Sequence, residues 1–147
     1  MKIGIASDHR GYDLKKEIIN SLKQENYNII DYGTNSNDAV DYPDYAFELS
    51  KNVKTKKVDF GVAICGSGIG ISIACNKVKG IRCAKISNKE EVEYTRKDND
   101  ANIIAFSSKT SLSDAIEYIK TFVNTPFSNE ERHKRRINKI TQYEENN

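Results

Sequence analysis

The chain has 147 residues, 37% hydrophobic and 30% charged, and its 23 Lys and Arg nearly balance 21 Asp and Glu for a formal charge of +2. That balance argues against general nucleic-acid or membrane-surface binding, and the length suits one domain with its own core over residues 1–147. The opening "MKIGIASDH" is polar by its seventh residue, and no stretch approaches the roughly 18 apolar residues that span a bilayer. A cytoplasmic protein without membrane contact is expected.

Apolar runs alternate with segments of helical period. "KIGIA" (2–6) reads as the first strand, followed by a helix whose stripe is Leu14, Ile18 and Leu22. "NIIDY" (28–32) reads as the second strand. "YPDYAFELSKNV" then gives a helix with Ala46, Leu49 and Val53 inward and Pro43 in its first turn. "VDFGVAI" (58–64), "IRCAKI" (81–86) and "NIIAFSS" (102–108) supply three more strands, and "SLSDAIEYIKTFVN" a helix capped by Ser111 or Ser113. Short, nearly continuous apolar runs suit strands buried on both faces, so the alternation predicts a doubly wound α/β parallel sheet. Residues 128–147 read as an additional C-terminal helix and polar tail, with Ile137 and Ile140 its only aliphatic residues. A helix so polar fits across a partner subunit or over a ligand site.

In open parallel sheets ligands bind beyond the carboxyl ends of the strands. "SDHRG" follows the first strand and "CGSGIG" (65–70) the third. The glycine loop lacks the Lys-Ser/Thr pair of a nucleotide phosphate loop and the spacing of a dinucleotide fingerprint. Its backbone amides at a helix start could hold a phosphate, an oxyanion or an enediolate. Cys65 opens that loop, where a helix start favours a thiolate; it is a base or nucleophile, or else a small apolar residue ending a buried strand. Cys75 and Cys83 read as inert core residues. With an odd count and no CxxC spacing, neither a disulfide framework nor a zinc site is expected. Asp8 and His9 could be acid–base machinery, a phosphate ligand or a helix cap. Arg132 and Arg136 share a helix face and suit a phosphate monoester, or a solvated face paired with Glu130 and Glu131. His133, in the same charged segment, reads as solvated.

"SDHRG", "DYGT", "DYPDYA", "CGSGIGISIACNKVKGIRCA" and "NDAN" together resemble the ribose-5-phosphate isomerase B family, which includes galactose- and allose-6-phosphate isomerases. The resemblance runs from Met1 through Arg136. It implies a three-layer α/β/α Rossmann-like domain with five parallel strands in the order 2-1-3-5-4. It implies a cofactor-free, metal-free aldose–ketose isomerase working through an enediolate on a sugar phosphate, within a homodimer of shared sites, with a tetramer left open. Cys65 would move the proton between C1 and C2. Ser67 and the amides of Gly66, Ser67, Gly68, Ile69 and Gly70 would hold the oxyanion, and Asp8 the sugar hydroxyls. His9, Arg132 and Arg136 would bind the phosphate and Asn99 the substrate.

Two positions depart from the family's pattern. Asp98 stands where a ring-opening His is usual, and Lys109 stands where a phosphate-binding Arg is usual; Lys keeps the charge but loses the bidentate fork. The expected substrate is ribose 5-phosphate and its product ribulose 5-phosphate. A hexose 6-phosphate is the alternative, and a non-catalytic sugar-phosphate module a third reading that leaves the thiol unexplained.

Overall fold

The computed structural model describes residues 1–147. Five strands, β1 (Lys2–Ser7), β2 (Asn28–Asp31), β3 (Phe60–Cys65), β4 (Cys83–Lys85) and β5 (Ile103–Ser107), form one sheet in the order β2-β1-β3-β5-β4. Every pairing is parallel. Six helices join and follow them: α1 (Tyr12–Gln24), α2 (Tyr42–Lys54), α3 (Ile69–Cys75), α4 (Lys89–Asn99), α5 (Leu112–Asn124) and α6 (Glu131–Asn146). No helix is long and apolar enough to cross a membrane.

The strands are less uniform than their apolar runs suggest, because large and small residues alternate. Ile3, Ile5, Val62, Ile64, Ile104 and Phe106 face one way and pack with Leu14, Ile18 and Leu22 of α1 and Ile119 and Phe122 of α5. On the opposite face lie Ala6, Ala63, Cys65 and Ala105, under Ala46, Leu49 and Val53 of α2 and Ile71 and Cys75 of α3. Small residues there let α2 ride close to the sheet. A Cβ added to Gly61 would stand 3.1 Å from Val53 and 2.9 Å from Ile103. Cys65 therefore belongs to the face with room for little, at the end where β3 gives way to the glycine loop.

The edges of the expected elements shift for identifiable reasons. Residues 58 and 59 precede β3 because the Asp59 amide bonds Lys2 O and its carboxylate accepts from Lys2 N. β4 shortens to three residues because the Arg82 amide is taken by the Asn102 side chain. Ser111, not Ser113, caps α5, accepting from the Asp114 amide at 3.1 Å. The C-terminal helix begins at Glu131 rather than 128, since the Ser128 amide is spent on Lys97 O and Asn129 adopts φ 61°.

Candidate active site

Cys65 ends β3 beside Ser107 of β5, and the Asp8 amide bonds Ile64 O, so the ends of β1, β3 and β5 meet here. Around the thiol is a cleft of about 360 Å³ lined by Arg10, Tyr42, Cys65, Gly66, Ser67, Gly70 and Lys109. Cys65 is 4% exposed, and its sulfur accepts a hydrogen bond from the Gly68 amide at 3.2 Å. That bond fixes where the sulfur points.

The turn that allows it depends on glycine. Gly68 has φ +79°, and a Cβ there would lie 2.6 Å from the Phe106 carbonyl carbon. Ser107 Oγ donates to Gly66 O at 2.7 Å and accepts from the Lys109 amide, tying loop to strand. Of the five amides from 66 to 70, Gly68 N is used by the sulfur and Ile69 N by Ser67 Oγ, at 3.1 Å. The expectation that all five face an oxyanion is therefore corrected. Gly66, Ser67 and Gly70 keep amides without a partner in the chain. Ser67 Oγ, acting as acceptor, retains its hydrogen for a ligand.

Asp8 is 6% exposed, and its Oδ1 accepts from the amides of Arg10 (3.0 Å) and Gly11 (3.2 Å), which fixes the turn leading into α1. Only Oδ2 remains for a sugar hydroxyl. His9 Nδ1 accepts from the Val40 amide at 3.2 Å, which leaves Nε2–H as the donor of the neutral ring. Two lining residues had no assigned role in the sequence. The Arg10 side chain lies over Gly66, and the Tyr42 ring over Gly70, where an added Cβ would be 3.0 Å and 2.8 Å away respectively. Their signal was the pairing of a long side chain with a glycine across the cleft, which sequence spacing does not display.

Asp98, Asn99, Arg132 and Arg136 are not in this cleft. Gly61 pairs with Ile103 and Cys65 with Ser107, so the end of α4 at Asn99 lies toward the opposite end of the sheet. Four residues of strand amount to about 13 Å. α6 is anchored at that far end, where Glu144 accepts from the Gly80 amide at 3.0 Å. Arg132 pairs with Glu130 at 3.1 Å, and both it and Arg136 are exposed. His133 corrects a sequence expectation: it is buried, 7% exposed, and its Nε2 stands 3.4 Å from Asp98 Oδ1. The spacing of charges gave no sign of this, because the contact joins α6 to α4.

The other thiols form a separate pair. The Cys83 side chain beside Cys75 holds the Cys75 thiol below its usual range, and Cys75 together with burial pushes Cys83 well above it, while the Cys75 thiol donates to Ala46 O at 3.9 Å. No three His, Cys, Asp or Glu side chains are placed to hold a metal ion. A larger hollow of about 490 Å³ lies at the amino ends of the strands, but its Arg82 and Arg96 are already bonded to Asp100 and to backbone carbonyls. No thiol, hydroxyl or imidazole lines it.

A family model described as ribose/galactose isomerase matches residues 3–140. The ribose-5-phosphate isomerase B of Escherichia coli is 37% identical over 145 residues, 98% of this chain and 97% of the relative. A solved ribose-5-phosphate isomerase B from Clostridium thermocellum superposes with TM-score 0.95 at 44% identity, covering 99% of each chain. One from Mycoplasma genitalium, determined with bound ribulose 5-phosphate, superposes with TM-score 0.92 at 39% identity, covering 99% of this chain and 97% of that one.

Proposed function

The chain belongs to the ribose/galactose isomerase family, and from that premise we propose that it is a cytoplasmic, single-domain isomerase interconverting ribose 5-phosphate and ribulose 5-phosphate. The observation that carries the reading is a cysteine sulfur held by one loop amide, with further amides of the same loop unpartnered beside it. A base next to amide donors suits proton transfer through an enediolate. Cys65 takes the C2 proton of the open-chain aldose and returns it to C1. Gly66, Ser67 and Gly70 amides and the Ser67 hydroxyl hold the charge that develops on oxygen. Gly68 and Ile69 shape the loop rather than donate. Asp8 Oδ2 accepts from a sugar hydroxyl, and His9 Nε2–H and Lys109 contact the phosphate.

Asp98, Asn99, Arg132 and Arg136 serve a site in which a second copy faces the first. Their distance from Cys65 within one chain supports this, as does an apolar patch beside the cleft. Ile69 (54% exposed), Ile73 (56%), Phe47 (45%) and Tyr42 (38%) form a surface that a monomer would leave wet. In the dimer Arg132 and Arg136 give the phosphate charge-assisted bonds, and Asn99 contacts the sugar.

A coupled assay on ribose 5-phosphate, with allose and galactose 6-phosphates as parallel substrates, tests the reading. Turnover of the pentose phosphate above both hexose phosphates is the expected result. Preference for a hexose phosphate would move the substrate assignment, and inertness toward all three would leave a binding module.

A further inference from the structure

Cys75 and Cys83 lie side by side outside the cleft. Cys75 is the last residue of α3 and is fully buried, whereas Cys83 opens β4 at the edge of the sheet and is half-buried. Asn76 fixes their approach. Its Nδ2 donates to Cys83 O and its Oδ1 accepts from the Cys83 amide, both at 2.8 Å. These two bonds hold the residue after Cys75 against Cys83, and both thiols pack in the same apolar cluster.

Access to the pair is one-sided. Cys83 lines a hollow of about 360 Å³ with Ile81, Ala84, Thr95, Asn99 and Ile140, between β4, α4 and α6, and Cys75 is not among its walls. On its other side Cys75 meets Ser50 of α2, whose hydroxyl is sealed from solvent and has no hydrogen-bond partner. The Cys83 side chain, and after it Ser50, hold the Cys75 thiol below its usual range against a burial that raises it. A cysteine that only fills space needs neither a second sulfur nor a buried hydroxyl beside it. An unpaired buried hydroxyl costs stability, and a thiolate at Cys75 is the acceptor that would relieve it.

We propose that Cys75 and Cys83 are a reversible redox pair that closes to a disulfide when a hydroperoxide enters the hollow at Cys83. The Cys83 sulfur attacks one peroxide oxygen, the O–O bond breaks, and water or an alcohol leaves with the thiol's proton. Cys75 then attacks the sulfur of the Cys83 sulfenic acid. The S–O bond breaks, and its oxygen departs as water with the second thiol's proton. Two thiols have given up two hydrogens, and the hydroperoxide is reduced. Cys75 and burial keep the Cys83 thiol protonated, so closure answers sustained exposure and not a brief pulse. In a reducing compartment a dithiol opens the bond again. The pair works in this way whether or not the cleft isomerises a sugar phosphate.

Trypsin cleaves after Lys77, Lys79 and Arg82, so Cys75 and Cys83 fall in different peptides unless sulfur joins them. Cys65 shares the Cys75 peptide, and Cys65→Ala removes that ambiguity. The folded Cys65→Ala protein is held in excess hydrogen peroxide, alkylated, digested and read by mass spectrometry. The expected product is a chain two hydrogens lighter, with the Cys75 and Cys83 peptides linked and separated again by dithiothreitol. Adding Cys83→Ser should abolish the link and leave Cys75 open to alkylation once the chain is unfolded. In the wild-type protein, fragmentation of the linked peptides tells Cys75 from Cys65, so the answer does not depend on either variant folding. Cys75 recovered fully alkylated after peroxide overturns the proposal, as does Cys83 carried on to the sulfinic acid without a link. A link found only between chains, as a covalent dimer on a non-reducing gel, overturns it too.

Discussion

The role proposed for Cys65 rests on how its sulfur is placed rather than on the thiol's own reactivity. The Gly68 amide aims the sulfur, and the strand end of β3 puts it at the cleft floor. Removing the thiol should leave the fold intact, because a side chain of similar size fills most of the same space. Cys65→Ala should lower kcat by at least about 100-fold in the coupled assay, with an unchanged unfolding midpoint. Retention of more than a tenth of the rate would assign the proton transfer elsewhere. Gly68 predicts a different outcome. Its φ of +79° and the 2.6 Å approach of Phe106 backbone leave no room for a methyl group. Gly68→Ala should therefore lose about 1–3 kcal/mol in denaturant titration and lose activity as the loop shifts. Cys75→Ala, by contrast, changes a buried thiol that donates to Ala46 O and lines no part of the cleft; its effect belongs in stability, not rate.

At the scale of elements, α5 shows why sequence periodicity was informative and where packing added to it. Its stripe ends in Phe122, fully buried and edge-on to Phe60 with ring centroids 5.0 Å apart. Phe122→Ala should cost about 3–5 kcal/mol, a cavity effect readable as a lower midpoint in urea. Ser111→Ala removes one capping bond from the same helix and should cost about 1 kcal/mol. Both variants should keep kcat near wild type, since neither side chain lines the Cys65 cleft. A large kcat loss in Ser111→Ala would mean that α5 positions Lys109 more directly than its backbone contacts imply.

For the whole molecule, the separation between the Cys65 cleft and the α4–α6 end makes a prediction that no single variant can make. In the proposed shared site, Cys65→Ala would damage one half and Arg136→Ala would weaken phosphate binding in the other. Mixed under conditions that exchange subunits, the two impaired proteins should form heterodimers holding one intact site and one doubly damaged site. Regained activity should approach about a quarter of wild type for random pairing in a twofold dimer. Independent sites within each chain would give no recovery. Assays at low substrate concentration are required, because loss of a phosphate contact raises KM and can be masked at saturation.

The sequence by itself determined the local and periodic features: five strands, the helix stripes and the strand-end positions of Asp8, His9 and Cys65. These follow from residue spacing along one element, and short-range sterics and burial leave little freedom in reading them. The motifs carried the family. Only the tertiary structure decided which loop amides remain free, since Gly68 and Ile69 spend theirs inside the loop. It alone brought Arg10 and Tyr42 over their glycines. It also turned His133 from an apparent surface charge into a buried partner of Asp98. Each of these is a contact between residues distant in sequence, or a competition for one hydrogen bond. Periodicity carries no record of either, because a donor has many possible acceptors until packing selects one.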